Sequence, residues 1–254
     1  MSNLRLRILL SLLLVTLVGG SALGAIPDLE GTWVMLQVYP RIAVLPLVGE
    51  SVQTSYVVQR VSIEQTDESL TMTDSYCFTS IEDTSFLATT EIPALFIAAL
   101  RPHPREATLR VRGETITFVQ EPYVEVRGAT LDDMLVDALP VGPDDPRVWD
   151  QDGDGFPGMT VNVNLMGLIE AQIYVVQRVQ YELFGIVSSD RIEGTIEWAD
   201  EQVVLAATNP MLMADSSGYP DPDPSKHIFI MLRAQEEWTC EWLAEHWREV
   251  FGLE

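Results

Sequence analysis

The hexapeptide Tyr-Val-Val-Gln-Arg-Val occurs twice, at Tyr56–Val61 and at Tyr174–Val179. A six-residue match inside one chain is improbable by chance, and the offset of 174 − 56 = 118 residues marks an internal duplication. Four of the six residues are β-branched or aromatic, types that fit a pleated surface. Each copy lies in a longer extended run, about residues 52–65 and 169–184. Each is preceded by another strand-like run, Thr32–Val38 in one half and Thr160–Leu165 in the other. Whatever this chain folds into has to accommodate two related pairs of strands.

Elsewhere the apolar residues recur at every second position, as in Leu70 and Met72, Leu109 and Val111, Ile116 and Phe118, and Ile228, Ile230 and Leu232. Helical spacing is confined to Ile92–Leu100, with Pro93 early in the turn, to Thr130–Leu139, where Thr130 and Asp133 stand in a capping-box arrangement, and to Glu236–Phe251. Pro140–Pro146 and Ser216–Ser225 are rich in Pro and Asp and read as exposed loops without regular structure. With no alternation of strand and helix, the expected class is mainly β. It is an internally duplicated antiparallel barrel or sandwich with a few short helices and a C-terminal helix. We expect residues 26–254 to form one domain from two related halves, about 26–140 and 150–254.

Arg5 and Arg7 precede an apolar run from Ile8 to Val18 and then the small residues Gly19, Gly20, Ser21, Ala22, Gly24 and Ala25, the pattern of a secretory signal spanning residues 1–25. The apolar run is short for a bilayer span and no second one follows, so the mature chain is expected to be secreted or periplasmic, without a membrane span. The whole chain carries 15 basic and 38 acidic residues, and loss of Arg5 and Arg7 gives 13 − 38 = −25. A nucleic-acid partner needs a basic footprint, which this composition excludes. Cys77 and Cys240 are the only cysteines, and an even count in an exported chain favours a disulfide between them. Closing so long a loop contributes about 4–5 kcal/mol by the chain-entropy estimate.

On a strand, Val57, Gln59, Val61 and Ile63 share one side, matched in the second copy by Val175, Gln177, Val179, Tyr181 and Leu183. Gln59 and Gln177 are thus lone amides on apolar faces. A buried amide needs hydrogen-bond partners, so each either meets backbone or another side chain, or points into a cavity that a ligand completes. Arg60 and Arg178 fall on the opposite face, as surface partners for the many acids.

Leu29-Glu30-Gly31-Thr32-Trp33 opens the first strand and resembles the Gly-x-Trp start of lipocalin- and avidin-type barrels. The resemblance implies an up-and-down barrel closed at one end by Trp33 and holding a small apolar ligand.

Residues 150–158, Asp-Gln-Asp-Gly-Asp-Gly-Phe-Pro-Gly, place carboxylates at alternate positions with a glycine for a sharp turn, which suits a calcium ion wrapped by one loop. Asp150, Asp152 and Asp154 with the Phe156 carbonyl would be its ligands. Position twelve is Val161, so the bidentate glutamate of the helix–loop–helix motif is missing. Asp144, Asp145 or water would then close the shell. Serine-elbow, zinc-protease and phosphate-loop patterns are absent, and the three histidines are scattered. The expectation is a non-enzymatic exported barrel with a structural calcium loop and a small apolar ligand near Gln59 and Gln177. A cell-surface interaction module with a filled core is the alternative.

Overall fold

A computed structural model describes residues 26–45, 49–84, 88–165, 167–213 and 217–253. The signal segment lies outside the described residues. The strands are β1 (Gly31–Leu45), β2 (Gly49–Thr66), β3 (Ser69–Asp83), β4 (Ala88–Glu91), β5 (Pro104–Arg112), β6 (Thr115–Arg127), β7 (Met159–Leu165), β8 (Ile169–Ser188), β9 (Arg191–Ala207), β10 (Ser217–Pro220) and β11 (Ile228–Arg233). Two α-helices, α1 (Ala94–Ala99) and α2 (Cys240–Phe251), and two short 3-10 turns, Pro210–Met213 and Pro224–Lys226, complete the described elements.

Eight strands form a closed antiparallel ring in chain order, β1-β2-β3-β5-β6-β8-β9-β11, with β11 returning to β1 and β8 joined to β9. Closure removes the exposed edges that an open sheet of this size would carry. β8 is long enough to serve two partners on one side: its first half pairs with β7 and its second half with β6. The hexapeptides occupy β2 and β8, the second and sixth strands of the ring, which lie opposite one another.

Alternation along each strand divides inside from outside. The lower interior is apolar and filled by Trp33, Met35, Val61, Ile63, Leu70, Met72, Leu109, Phe118, Leu183, Phe229 and Met231. Trp33 is fully buried at the floor, its Nε1 donating to the Leu29 carbonyl at 2.8 Å, with the Arg233 guanidinium 4.8 Å from its ring. Arg233 also donates to the carbonyls of Asp28 and Glu30, so the segment entering β1 is sewn to the last strand.

The outer face of β1–β3 and β11 buries Val34, Leu36, Val58 and Ile230 under Leu243, Trp247 and Phe251 of α2. Helix α2 starts at Cys240 because the Thr239 hydroxyl accepts from the Trp242 amide, and it stops at Gly252, whose left-handed φ of 72° favours glycine. The helix is thus shorter at its start than the Glu236–Phe251 spacing predicts. Cys77 on β3 and Cys240 stand at disulfide distance, with Cα atoms 4.9 Å apart, fastening this helix to the barrel. Protein denatured without reductant should therefore present no free thiol to a maleimide reagent. Two labelled cysteines would show the pair to be open.

Two sequence expectations fail. Thr130–Leu139 is not a helix: the Asp133 carboxylate accepts from the Leu135 and Val136 amides and makes one turn, after which the chain turns away. Leu131 and Leu139 are drawn onto the barrel wall beside Val176 and Leu205, leaving Leu135 and Val136 exposed. Within the expected loop 216–225, Ser217–Pro220 is a strand, paired with the upper end of β1. Pro220 sits at its last position, where a missing amide donor costs least. Among the described residues no helix is long and apolar enough to cross a membrane.

Candidate functional site

Two regions carry chemistry that the packing does not require: the Asp150–Gly158 loop and a polar layer inside the barrel.

The loop joins β6 to β7 through a turn rather than a helix. Its ends are clipped together by a bridge between Asp150 and Gly158 and by the Gly158 amide bonding the Trp149 carbonyl at 3.0 Å. Gly155 has φ of 91°, the left-handed turn the sequence pattern calls for. Asp150 organises the turn, its carboxylate accepting from the Gly153, Asp154 and Gly155 amides. Asp154 accepts from the Phe156 amide and the Thr160 hydroxyl, and Asp152 from the Thr160 amide. The Phe156 ring stacks on Tyr174 with centroids 4.4 Å apart, pinning the far side of the loop to β8.

One carboxylate oxygen from each of Asp150, Asp152 and Asp154 falls within 4.8 Å of the others. Asp152 is 9 % exposed, and its Oδ1 is buried without a hydrogen-bond partner among the described residues. Burial raises the Asp152 pKa, the Thr160 amide opposes that, and the neighbouring Asp154 and Asp150 carboxylates raise it further. A hard divalent cation would satisfy the orphaned oxygen and relieve the repulsion together. Asp145 does not join the cluster. Arg147 grips both its oxygens and holds its carboxyl down to about 2.

Between the loop's first two aspartates, Gln151 reaches the other way. Its Oε1 accepts from the Gly128 amide at 2.7 Å, and its Nε2 donates to the Ala99 carbonyl at 3.3 Å, coupling the loop to the end of α1.

Inside the barrel, Gln59 and Gln177 both face the interior. Gln59 Nε2 donates to Gln37 Oε1 at 3.2 Å, and Gln177 Nε2 donates to Gln202 Oε1 at 2.6 Å. Each amide therefore finds a side-chain partner on a neighbouring strand, while each Oε1 is buried without a partner among the described residues. The surroundings are charged and phenolic. Asp74 and Arg105, each 4 % exposed, form a buried ion pair, and Arg105 also donates to Gln120 Oε1 at 2.7 Å and to the Tyr181 hydroxyl. One level higher, Arg127 pairs with Glu125 at 2.8 Å and lies against the rings of Tyr76 and Phe96. Phe96 of α1 and Leu100 cover this layer with Met159, Val161 and Val175.

Burial pushes up the phenols of Tyr39, Tyr76 and Tyr181, so they keep their protons. Burial works against the Arg105 charge, but the Asp74 carboxylate together with Tyr181 and Tyr76 outweighs it and holds the guanidinium pKa above its ordinary value. Burial raises the Asp74 carboxyl, and Arg105 opposes that rise.

The sequence reading missed Asp74, Arg105, Glu125 and Arg127. Parity along the strands was the available signal, since Asp74 continues the inward series Leu70 and Met72, and Arg105 continues Leu109 and Ala107. No family model, curated protein or solved structure matches the chain.

Proposed function

We propose that this chain is an exported, non-enzymatic binding barrel whose β6–β7 connection is locked by calcium. Asp152, whose Oδ1 is buried without a partner among the described residues and whose carboxylate clusters with those of Asp150 and Asp154 within 4.8 Å, is the observation that carries the metal reading. Asp150, Asp152 and Asp154 would hold the ion, with the Phe156 carbonyl as the expected fourth ligand. The role is structural: the loop is tied to β7 through Thr160, to β8 through Phe156 and to α1 through Gln151, so the ion would fix three elements of the upper barrel at once. Export supports the reading, because extracellular calcium suits the weak sites that such loops make. The guest suggested by the sequence was apolar, but the charged and phenolic lining around Gln59 favours a polar one.

Thermal melting tests the metal reading. With calcium tenfold above a dissociation constant of about 0.1–1 mM, mass action adds about 1.4 kcal/mol, or about 3–6 °C for a domain of this size. Magnesium should give less, because it holds its water and demands octahedral geometry. The double variant Asp152→Asn/Asp154→Asn should melt in chelator at or above the wild-type temperature and gain nothing from calcium. An equal calcium response in both proteins would place the ion on the general acidic surface and overturn the assignment.

A further inference from the structure

The two ends of the barrel differ in what they show to solvent. Strand direction puts the turns 66–69, 112–115 and 188–191 at the floor end, with Trp33, and the β7–β8 and β9–β10 connections at the other. The floor turns present Asp67, Glu68, Gly113, Glu114, Ser189 and Asp190, residue types that suit exposed turns, and no exposed large apolar side chain. The far end is the reverse. The β8–β9 ladder finishes at Gln172 and Thr208, the Thr208 amide donating to the Gln172 carbonyl at 2.9 Å and the Thr208 hydroxyl accepting from the Gln172 amide at 2.8 Å. Past this rung stand Leu168 and Ile169 of the β7–β8 hairpin and Met211 and Met213 of the Pro210–Met213 turn. All four are exposed, Leu168 by 84 % and Met211 by 66 %.

These four side chains belong to none of the apolar clusters among the described residues, so they do not hold the fold together. Gly167, with φ of 67°, makes the sharp part of the hairpin, and a polar residue beside it would serve, as at each floor turn. Single exposed apolar residues are ordinary on a protein surface, but four at the ends of two paired strands form one patch, and such patches mark contact surfaces. This patch is convex, being made of tips and not of a groove. Its rim is acidic and phenolic: Glu50 and Glu170 are exposed, and the exposed Tyr219 donates to Glu50 Oε1 at 3.4 Å. The connecting sequences 46–48, 84–87, 166–168 and 208–216 contain no Lys or Arg.

From this we infer that the end of the barrel opposite the Trp33 floor docks on the zwitterionic surface of a lipid membrane, with the Leu168 and Met211 tips inserted at the boundary between headgroups and acyl chains. Charge selects this occupant. A second copy meeting the first end to end would bring the Glu50 and Glu170 carboxylates of both together, and an anionic membrane would repel the same acids, with no Lys or Arg in the connections to offset them. A surface without net charge meets neither cost. Shape agrees, since protruding tips part lipid headgroups, and unbranched methionines adapt to an irregular apolar surround. Tyr219, paired with Ile42 near the end of β1, stands behind the tips with an apolar ring and a polar hydroxyl, the kind of side chain that membrane boundaries favour. In this orientation the acidic floor turns point away from the bilayer.

The test is co-flotation of the mature protein with vesicles of pure phosphatidylcholine and with vesicles of phosphatidylcholine mixed with phosphatidylglycerol, both in chelator so that no calcium bridges the surface acids to lipid phosphate. The protein should float with the first and less with the second. Leu168→Asp and Met211→Asp, each on an exposed side chain, should lower partitioning onto phosphatidylcholine about tenfold, the effect of withdrawing one apolar side chain from the lipid, with melting temperature unchanged. Leu168→Ser and Met211→Ser take their place wherever an aspartate lowers the melting temperature. Absence of flotation with pure phosphatidylcholine overturns the proposal, as does flotation that requires phosphatidylglycerol or that the variants retain in full. Sedimentation velocity of the same proteins without lipid completes the test. A wild-type dimer that Leu168→Asp dissolves would give the patch to a second copy and overturn the membrane assignment.

Discussion

Arg105→Met is expected to destabilise the barrel by about 3–5 kcal/mol, and the double substitution Arg105→Met/Asp74→Leu to recover most of that loss. The single change strips the guanidinium from a carboxylate that is 4 % exposed and leaves Gln120 Oε1 and the Tyr181 hydroxyl without their donor. An uncompensated buried charge is far costlier than a missing ion pair, because the pair's own attraction mostly repays the desolvation of its two members. With Leu at position 74, the new side chains extend the apolar floor formed by Met72 and Leu109 below them. The measurement is urea unfolding of both variants in saturating calcium. A double variant as unstable as the single one would mean that the polar layer holds the fold together through its hydrogen bonds. Recovery would mean that the layer persists in this sequence for something other than stability, as a binding site requires.

How much of this was legible in the sequence divides along the strands. Period-two spacing marked the strand-rich class, and the repeated hexapeptide marked two of the ring's eight strands, because alternation is a local property that packing on one face enforces. The polar layer was only partly legible: Asp74 and Arg105 lie on unbroken alternation, and the rest was hidden by bulges. Between Val58 and Gln59 the pairing of β2 with β3 slips, so Cys77 is an extra residue: Tyr76 faces inward while Phe78, two residues on, packs outside against Trp247. A second slip in β6 between Gln120 and Tyr123 likewise reverses parity before Glu125 and Arg127. Strict alternation therefore loses the inward face before Glu125 and Arg127, whereas for Asp74 and Arg105 parity holds and only cross-strand register, a non-local property, brings the two together. The helix expected at Thr130–Leu139 failed for a related reason. The Asp133 carboxylate holds one turn, but the Thr130 amide bonds the Arg147 carbonyl and not Asp133, and burial of Leu131 and Leu139 on the barrel wall outweighs the weak helix-forming tendency of ten residues.

The metal loop was more legible, since its chemistry lies within nine consecutive residues, and what the sequence left out was its anchorage. Gly158→Ala is expected to cost about 2–4 kcal/mol and to lower the melting temperature by about 5–15 °C, with a matching loss of calcium affinity. Two penalties add at this position. The residue has φ of 83°, which an alanine adopts at a cost of about 1–2 kcal/mol. A Cβ there would also stand 2.4 Å from the Val175 carbonyl oxygen, part of a β8 backbone that cannot retreat without breaking its pairing with β9. The natural control is Gly153→Ala in the same loop. Its φ is 72°, and a Cβ there meets nothing within 4 Å, so only the conformational cost applies and the loss should stay near 1–2 kcal/mol. Melting of the two variants in chelator separates the terms, and calcium titration of each then reads whether the loop is still closed at Asp150 and Gly158. Equal destabilisation by the two substitutions would show that the loop does not bear on β8, and the idea that calcium there locks the upper barrel would fall with it.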